Sequence, residues 1–205
     1  MRSGRTPMRA SAGLVAAVLL AAAGAGRAVD SGQTPLDRFT ATTVAMTPRG
    51  EPLRIELRNW SDDAGRAAVV EALGRGAEAQ KALASLPTLG YVWRSRSSVG
   101  YAIKYAHRVA TPTGERVTFV TDKRLGAYDI ERWAADARPP PAELEYSVVE
   151  LYLDGGGSGD GTLSLAADVR VDASASLVSL AADQGSPRVL ADAKREPKVG
   201  SAAGG

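Results

Sequence analysis

Between Val99 and Asp122 the chain reads VGYAIKYAHRVATPTGERVTFVTD, and no other stretch limits the fold as strongly. Val99, Tyr101, Ile103, Tyr105, His107 and Val109 recur at every second position, with Gly100, Ala102, Lys104, Ala106 and Arg108 between them. A period of two puts the first set on one face of a strand and the second on the other. In the return arm Val117, Phe119 and Thr121 share a face. The link Thr111–Glu115 has turn chemistry: Pro112 presets its own φ, and Gly114 is expected to supply a positive φ. The expectation is a long antiparallel hairpin with one bulky, partly aromatic face.

Other strands are legible around it. Phe39–Met46 is rich in Thr and Val, Thr47–Gly50 reads as a turn, and Leu53, Ile55 and Leu57 alternate with Arg54, Glu56 and Arg58, making a first hairpin. Asn59–Asp63 then marks a change to helix, with Ser61 as the expected N-cap and two aspartates at the positive helix end. Gly74 and Gly76 break that helix, and Pro87 stops the short helix that follows. Leu89–Ser95, Tyr146–Leu153, Leu163–Val171, Leu177–Ala182 and Val189–Ala193 read as further strands. Arg124–Glu145, with Pro139–Pro141, reads as an irregular exposed stretch holding a short helix near Ile130–Ala135. The expected fold is mainly β (α+β): a curved antiparallel sheet or partial barrel of about eight or nine strands, with one broken helix inserted after the first hairpin.

The first 28 residues have the pattern of a secretory signal peptide. Arg2, Arg5 and Arg9 precede the uncharged run Gly13–Ala25, and small residues at Ala23–Ala25 and Gly26–Ala28 offer cleavage sites. That run is too short for the ~20 residues of a bilayer span. Residues 29–38 then form a polar leader, 39–193 a single β-rich domain, and 194–205 a disordered tail. Cleavage removes four arginines and no acid, so 21 basic residues remain against 23 acidic ones. The basic balance thus belongs to the leader segment, the remaining charges look interspersed, and no nucleic-acid partner is expected. The chain has no cysteine, which excludes thiol catalysis, disulfides and Cys-based metal sites. The expected location is the periplasm or the exterior, with no stable membrane span after cleavage.

Candidate chemistry is sparse. The glycine-rich run DGGGSGDG (Asp154–Gly161) fits neither an EF-hand nor a phosphate loop and reads as a flexible hairpin loop. His107 is the single histidine, so a two-His metal site cannot form within the chain. A Ser-His-Asp arrangement survives in principle, with Asp122 as an available acid, but no G-x-S-x-G elbow is present. Glu150, among Val148, Val149, Leu151 and Tyr152, reads either as a buried acid or as a charge protecting an edge strand, the latter being preferred. Trp93, Tyr101, Tyr105 and His107 are the candidate ligand-binding residues, since aromatic side chains on neighbouring strands could line a cavity. No catalytic residue, metal or cofactor is expected.

The segments ELRNWSDD, VGYAIKYA, VTFVTDKRLG and YSVVELYLDGGGSGDGTLSLAADV, within residues 39–193, resemble a type of small signal-peptide-bearing exported bacterial protein. The resemblance implies export and transfers no catalytic residue. Three functional readings follow: a non-enzymatic exported domain binding a small apolar ligand or an envelope protein; a periplasmic or secreted hydrolase using His107 with an acidic partner; and a scaffold without a ligand.

Overall fold

Eight strands of the chain close on themselves. In the computed structural model, described over residues 34–44, 50–95, 97–127, 146–164, 169–180 and 188–197, the elements are β1 (Asp37–Thr43), β2 (Glu51–Leu57), α1 (Asp63–Leu73), a 3-10 turn (Gly76–Glu78), α2 (Ala79–Ser85), β3 (Gly90–Arg94), β4 (Tyr101–Thr111), β5 (Gly114–Thr121), β6 (Val148–Asp154), β7 (Ser158–Ser164), β8 (Val169–Asp172), β9 (Leu177–Leu180) and β10 (Arg188–Glu196). The barrel order is β1-β10-β7-β6-β5-β4-β3-β2, with antiparallel neighbours throughout, while β8 and β9 form a separate two-stranded hairpin. This is the antiparallel, mainly β architecture that the strand patterns predict, with the sheet fully closed. The expected signal peptide, the Thr47–Arg49 part of the first turn, the Pro139–Pro141 stretch and the Ile130–Ala135 helix lie outside the described residues.

Alternation explains the wall. In β1 and β2 every second residue is buried, and Phe39, Ala41, Leu53, Ile55 and Leu57 point into the barrel. They meet Val92, Tyr101, Ile103, Val117, Phe119, Leu151, Leu153, Leu163 and Leu190 in one apolar interior. Phe39 and Phe119 pack edge to face at 5.4 Å near its centre. An eight-stranded barrel is about wide enough for side chains to fill it. Charges such as Arg38, Arg54 and Glu56 lie on the outer wall of β1 and β2. An apolar inside and a charged outside reverse the polarity of a membrane-spanning barrel. No helix among the described residues is long and apolar enough to cross a membrane.

The strict alternation expected along Val99–Val109 breaks at one residue. Ile103 lies opposite Thr121 and Tyr105 opposite Val120, so Lys104 is the extra residue of a β-bulge. Before the bulge Tyr101 and Ile103 face the interior; after it Ala106 does, and Tyr105 turns outward into a second apolar cluster. That cluster joins Val69, Ala72, Ala79 and Leu83 of the helices to Tyr105, Val120, Tyr146, Val148 and Val178. The bulge therefore lets one strand serve two cores, which a simple period of two does not reveal.

Lys104 also ties the helices down. Its ammonium donates to the carbonyls of Leu86 (2.8 Å) and Ala84 (3.4 Å) and to the Thr88 hydroxyl (3.0 Å), with Asp122 Oδ2 at 3.9 Å. A cation is favoured where the end of α2 leaves carbonyls unsatisfied. Burial pushes the Lys104 ammonium down, and Asp122 opposes that shift.

Other local expectations need correction. Asp62, not Ser61, caps α1 by accepting from the Gly65 N–H at 2.7 Å. Ser61 is buried and tied instead to β4, its hydroxyl accepting from the Ala106 N–H. The break after α1 is as expected, with Gly76 at φ +57°. Only part of Asp154–Gly161 is a loop: Asp154–Gly157 is a turn with Gly157 at φ +77°, and β7 begins at Ser158. The alternation of Leu163–Val171 is divided between β7 and β8, and β10 continues to Glu196, past the expected start of the tail.

Gly114 is not in the left-handed region; a Cβ there would run into the Leu153 carbonyl oxygen of β6. At Gly155 a Cβ would meet nothing within 4 Å. Gly114→Ala is therefore expected to cost about 2 kcal/mol or more, while Gly155→Ala stays within about 0.5 kcal/mol. Equal urea midpoints for the two variants would refute this reading of Gly114.

Candidate functional site

The structure separates the four aromatic and histidine candidates. Tyr101 is buried in the barrel interior, its hydroxyl accepting from the Gly126 N–H at 3.0 Å beside buried Leu125. Tyr105 lies outside the barrel beneath the β8–β9 hairpin, its hydroxyl donating to the Ser176 carbonyl (3.4 Å) and accepting from the Val178 N–H (3.3 Å). His107 is half-buried beside it, with the rings 6.1 Å apart. Trp93 is on the outer face of β3, while Tyr101, paired with its neighbour Val92, faces the other way into the interior. The shared face expected for Tyr101, Tyr105 and His107 does not exist, because the bulge at Lys104 inverts the strand between them.

The His107 side chain makes no hydrogen bond among the described residues. Asp122 sits with Lys104, whereas His107 pairs in register with Thr118. Burial holds the imidazole below its ordinary pKa, and the nearby guanidiniums of Arg66 and Arg116 add to this, against Asp63. The folded chain thus takes up the His107 proton less readily than the unfolded chain. Stability on this account is lost as pH falls through about 6.5 towards the depressed folded value. His107→Gln is expected to flatten the fall in urea midpoint between pH 7.5 and 5.5, and an unchanged profile would contradict it.

Glu150 is not on an edge. Strand β6 is paired on both sides, and the carboxylate is buried under the β8–β9 hairpin. It accepts from the Tyr152 hydroxyl (2.8 Å), the Thr118 hydroxyl (3.3 Å) and the Leu180 N–H (3.3 Å). With Tyr105 it pins the hairpin to the barrel wall, a structural task that occupies the polar groups concerned.

Concavities open elsewhere. At the barrel end formed by the Asp154–Gly157 turn, two of about 560 and 570 Å³ share Arg108 and Arg195. Arg195 spans this end, its Nη1 2.8 Å from Glu115 Oε1 and its Nε 3.7 Å from Asp37, and among the described residues its Nη2 has no hydrogen-bond partner. Asp37 also accepts from the Trp60 indole N–H at 3.1 Å, Arg108 lies over the Trp60 ring, and Asp154 accepts from the N–H groups of Gly156 and Ser158. Most polar groups here close the barrel. A smaller space of about 310 Å³ between helices and barrel is lined by Lys104, whose amine is already engaged.

The concavity beside Trp93 differs. It holds about 480 Å³ and is lined by Thr40, Thr42, Arg54, Trp93, Ser95 and Lys194, with Asp192 and the edge of Arg94. Strands β1, β2, β3 and β10 bring these residues together: Thr40 is opposite both Arg54 and Lys194, and Arg54 is opposite Trp93. The Arg54 guanidinium lies 4.8 Å from the Trp93 ring centre. Gly100 packs on the indole, where a Cβ would come within 2.9 Å of Nε1 and Cε2. Tyr91 stands 5.4 Å from Trp93, with Arg58 over its own ring. Among the described residues the side chains of Thr40, Thr42, Ser95, Trp93 and Lys194 make no hydrogen bond or ion pair. Among the described residues nothing consumes their donors and acceptors.

Sequence reasoning named Trp93 but missed its neighbours. Arg54, Glu56 and Arg58 share a face by period two, and that signal was available in RIELR (Arg54–Arg58). The pairing of β1 with β10, which adds Thr40 and Lys194, is a contact across most of the chain and leaves no local trace. Compared with known protein families, with curated proteins and with solved structures, the chain gives no match. The class its own geometry defines is a closed eight-stranded antiparallel barrel with helices and a hairpin packed on the outer wall.

Proposed function

We propose that the protein is an exported, non-enzymatic binding domain that engages its ligand on the outer wall of the barrel, in the concavity beside Trp93. The observation that carries this reading is the set of polar side chains, unengaged among the described residues, gathered there around an indole, against an interior filled by apolar side chains. Binding sites combine a concave surface with a few placed polar groups, and this concavity is within the usual ~300–1,000 Å³. Export rests on the pattern of residues 1–28. A small apolar ligand held inside the barrel gains no support from an interior lined by Phe39, Tyr101, Phe119 and leucines. The hydrolase alternative gains none from the surroundings of His107.

The test is a fragment and saccharide screen on ¹⁵N-labelled protein, read by the Trp93 indole N–H and the Ser95 and Ser97 amides. Binders that move these signals support the proposal. Binders that move only Trp60 and Gly155–Gly157 would shift the site to the end of the barrel. No binder at either place would favour the scaffold reading.

A further inference from the structure

Resting on that reading, we propose that the concavity beside Trp93 takes an acidic saccharide, its carboxylate held by Arg54 and Lys194 and its hydroxyls by Thr40, Thr42 and Ser95. The first ground is charge. Among the described residues Asp192 is the one carboxylate lining the concavity, against the cations Arg54 and Lys194. Arg94 is already neutralised by Glu51. Glu56, behind the rim, lies 3.7 Å from Arg54 and 3.5 Å from Arg38, and the Arg54 side chain remains 57% exposed. An exposed pair of that length holds a guanidinium weakly.

The second ground is the kind of polar group present. Four hydroxyl side chains, Thr40, Thr42, Ser95 and Ser97, line one small space, and among the described residues only Ser97 is engaged, with Val99. Each hydroxyl can donate and accept, which matches a ligand whose own groups do both. A bare anion would need the cations but not these hydroxyls, and an apolar ligand would leave all of them unpaired. The third ground is the stack of Arg54 on Trp93. The guanidinium carbon lies 4.8 Å from the ring centre, and a guanidinium placed over a ring keeps N–H groups that can donate to a carboxylate.

The experiment titrates the protein with digalacturonate, with neutral galactobiose and with inorganic phosphate, following tryptophan fluorescence and the Trp93 indole N–H resonance. Digalacturonate is expected to saturate the Trp93 signals, with affinity at least tenfold above that for galactobiose and falling with salt. Lys194→Glu is expected to weaken it tenfold or more, and Thr40→Val with Thr42→Val several-fold, with thermal midpoints unchanged. Two such surface changes outside the core keep the test readable if one of them misfolds. Equal binding of galactobiose at Trp93 would overturn the acidic class while leaving the site in place. Phosphate binding as tightly as digalacturonate would overturn the saccharide. Failure of all three to move the Trp93 signals would overturn both this inference and the site.

Discussion

Glu51→Ala is expected to destabilise the protein by about 3–5 kcal/mol, because it strands a buried guanidinium. Arg94 lies at the far end of β3 with its side chain 2% exposed, and Glu51 at the start of β2 is 11% exposed. The contact is a two-point fork, Nε to Oε1 at 3.2 Å and Nη2 to Oε2 at 2.8 Å, and the Glu51 N–H itself donates to the Thr43 hydroxyl. Removing one charge leaves the other with its desolvation cost and without its fork. For a chain of this size the thermal midpoint is expected to fall by about 10 °C. Removing both charges is a different change: Glu51→Leu with Arg94→Met is expected to recover most of the loss, since an apolar pair has no ion to desolvate. A loss below about 1 kcal/mol in Glu51→Ala would mean that water reaches Arg94 and that the fork contributes little.

Lys104→Ala is expected to lose about 1–3 kcal/mol, and deleting Lys104 altogether is expected to cost a similar amount and still give the native barrel. The substitution removes the ammonium that gathers the carbonyls of Ala84 and Leu86 but keeps the extra residue of the bulge. The deletion removes the bulge itself. Without the extra residue Ile103 still pairs with Thr121 and Tyr105 with Val120, so the regular strand keeps Ile103 and Ala106 facing the interior and Tyr105 facing the helices. A strand that kept Lys104 without bulging would instead exchange every side chain beyond it between the two faces, and that is the slip the bulge absorbs. Loss of dispersed amide resonances and of near-ultraviolet circular dichroism in the deletion variant would show that the bulge itself is required and would refute this account.

These two predictions mark where the sequence was legible. The strands, the broken helix and the antiparallel pairing follow from local signals: alternation in Leu53–Leu57, glycines at Gly74 and Gly76, a turn at Pro112. Closure was not legible, because β1 meets β10 only through a register such as Thr40 with Lys194, which no local pattern encodes. The bulge was invisible for another reason: Lys104 fits the polar face of a regular strand, so its departure from that strand leaves the pattern intact on paper. Glu150 was misread because the partners that make its burial tolerable, Thr118, Tyr152 and the Leu180 N–H, come from three different strands. Of the candidate residues, Trp93 stands in the proposed site, while Tyr101, Tyr105 and His107 are assigned to two other environments.

Closure has a consequence for the life of the chain after it leaves the ribosome. An open sheet ends in strands whose free N–H and C=O groups recruit other copies, and a chain without disulfides has no covalent means to hold such an edge shut. In this barrel the first and last strands satisfy one another, so each of the eight wall strands has two neighbours. The edges that remain among the described strands belong to β8 and β9, four residues each, with Asp172 and Arg170 among them. Self-association should therefore begin from molecules in which β10 has come away from β1, and the rate of clumping on storage should follow the opening of that one seam rather than the overall hydrophobicity of the surface.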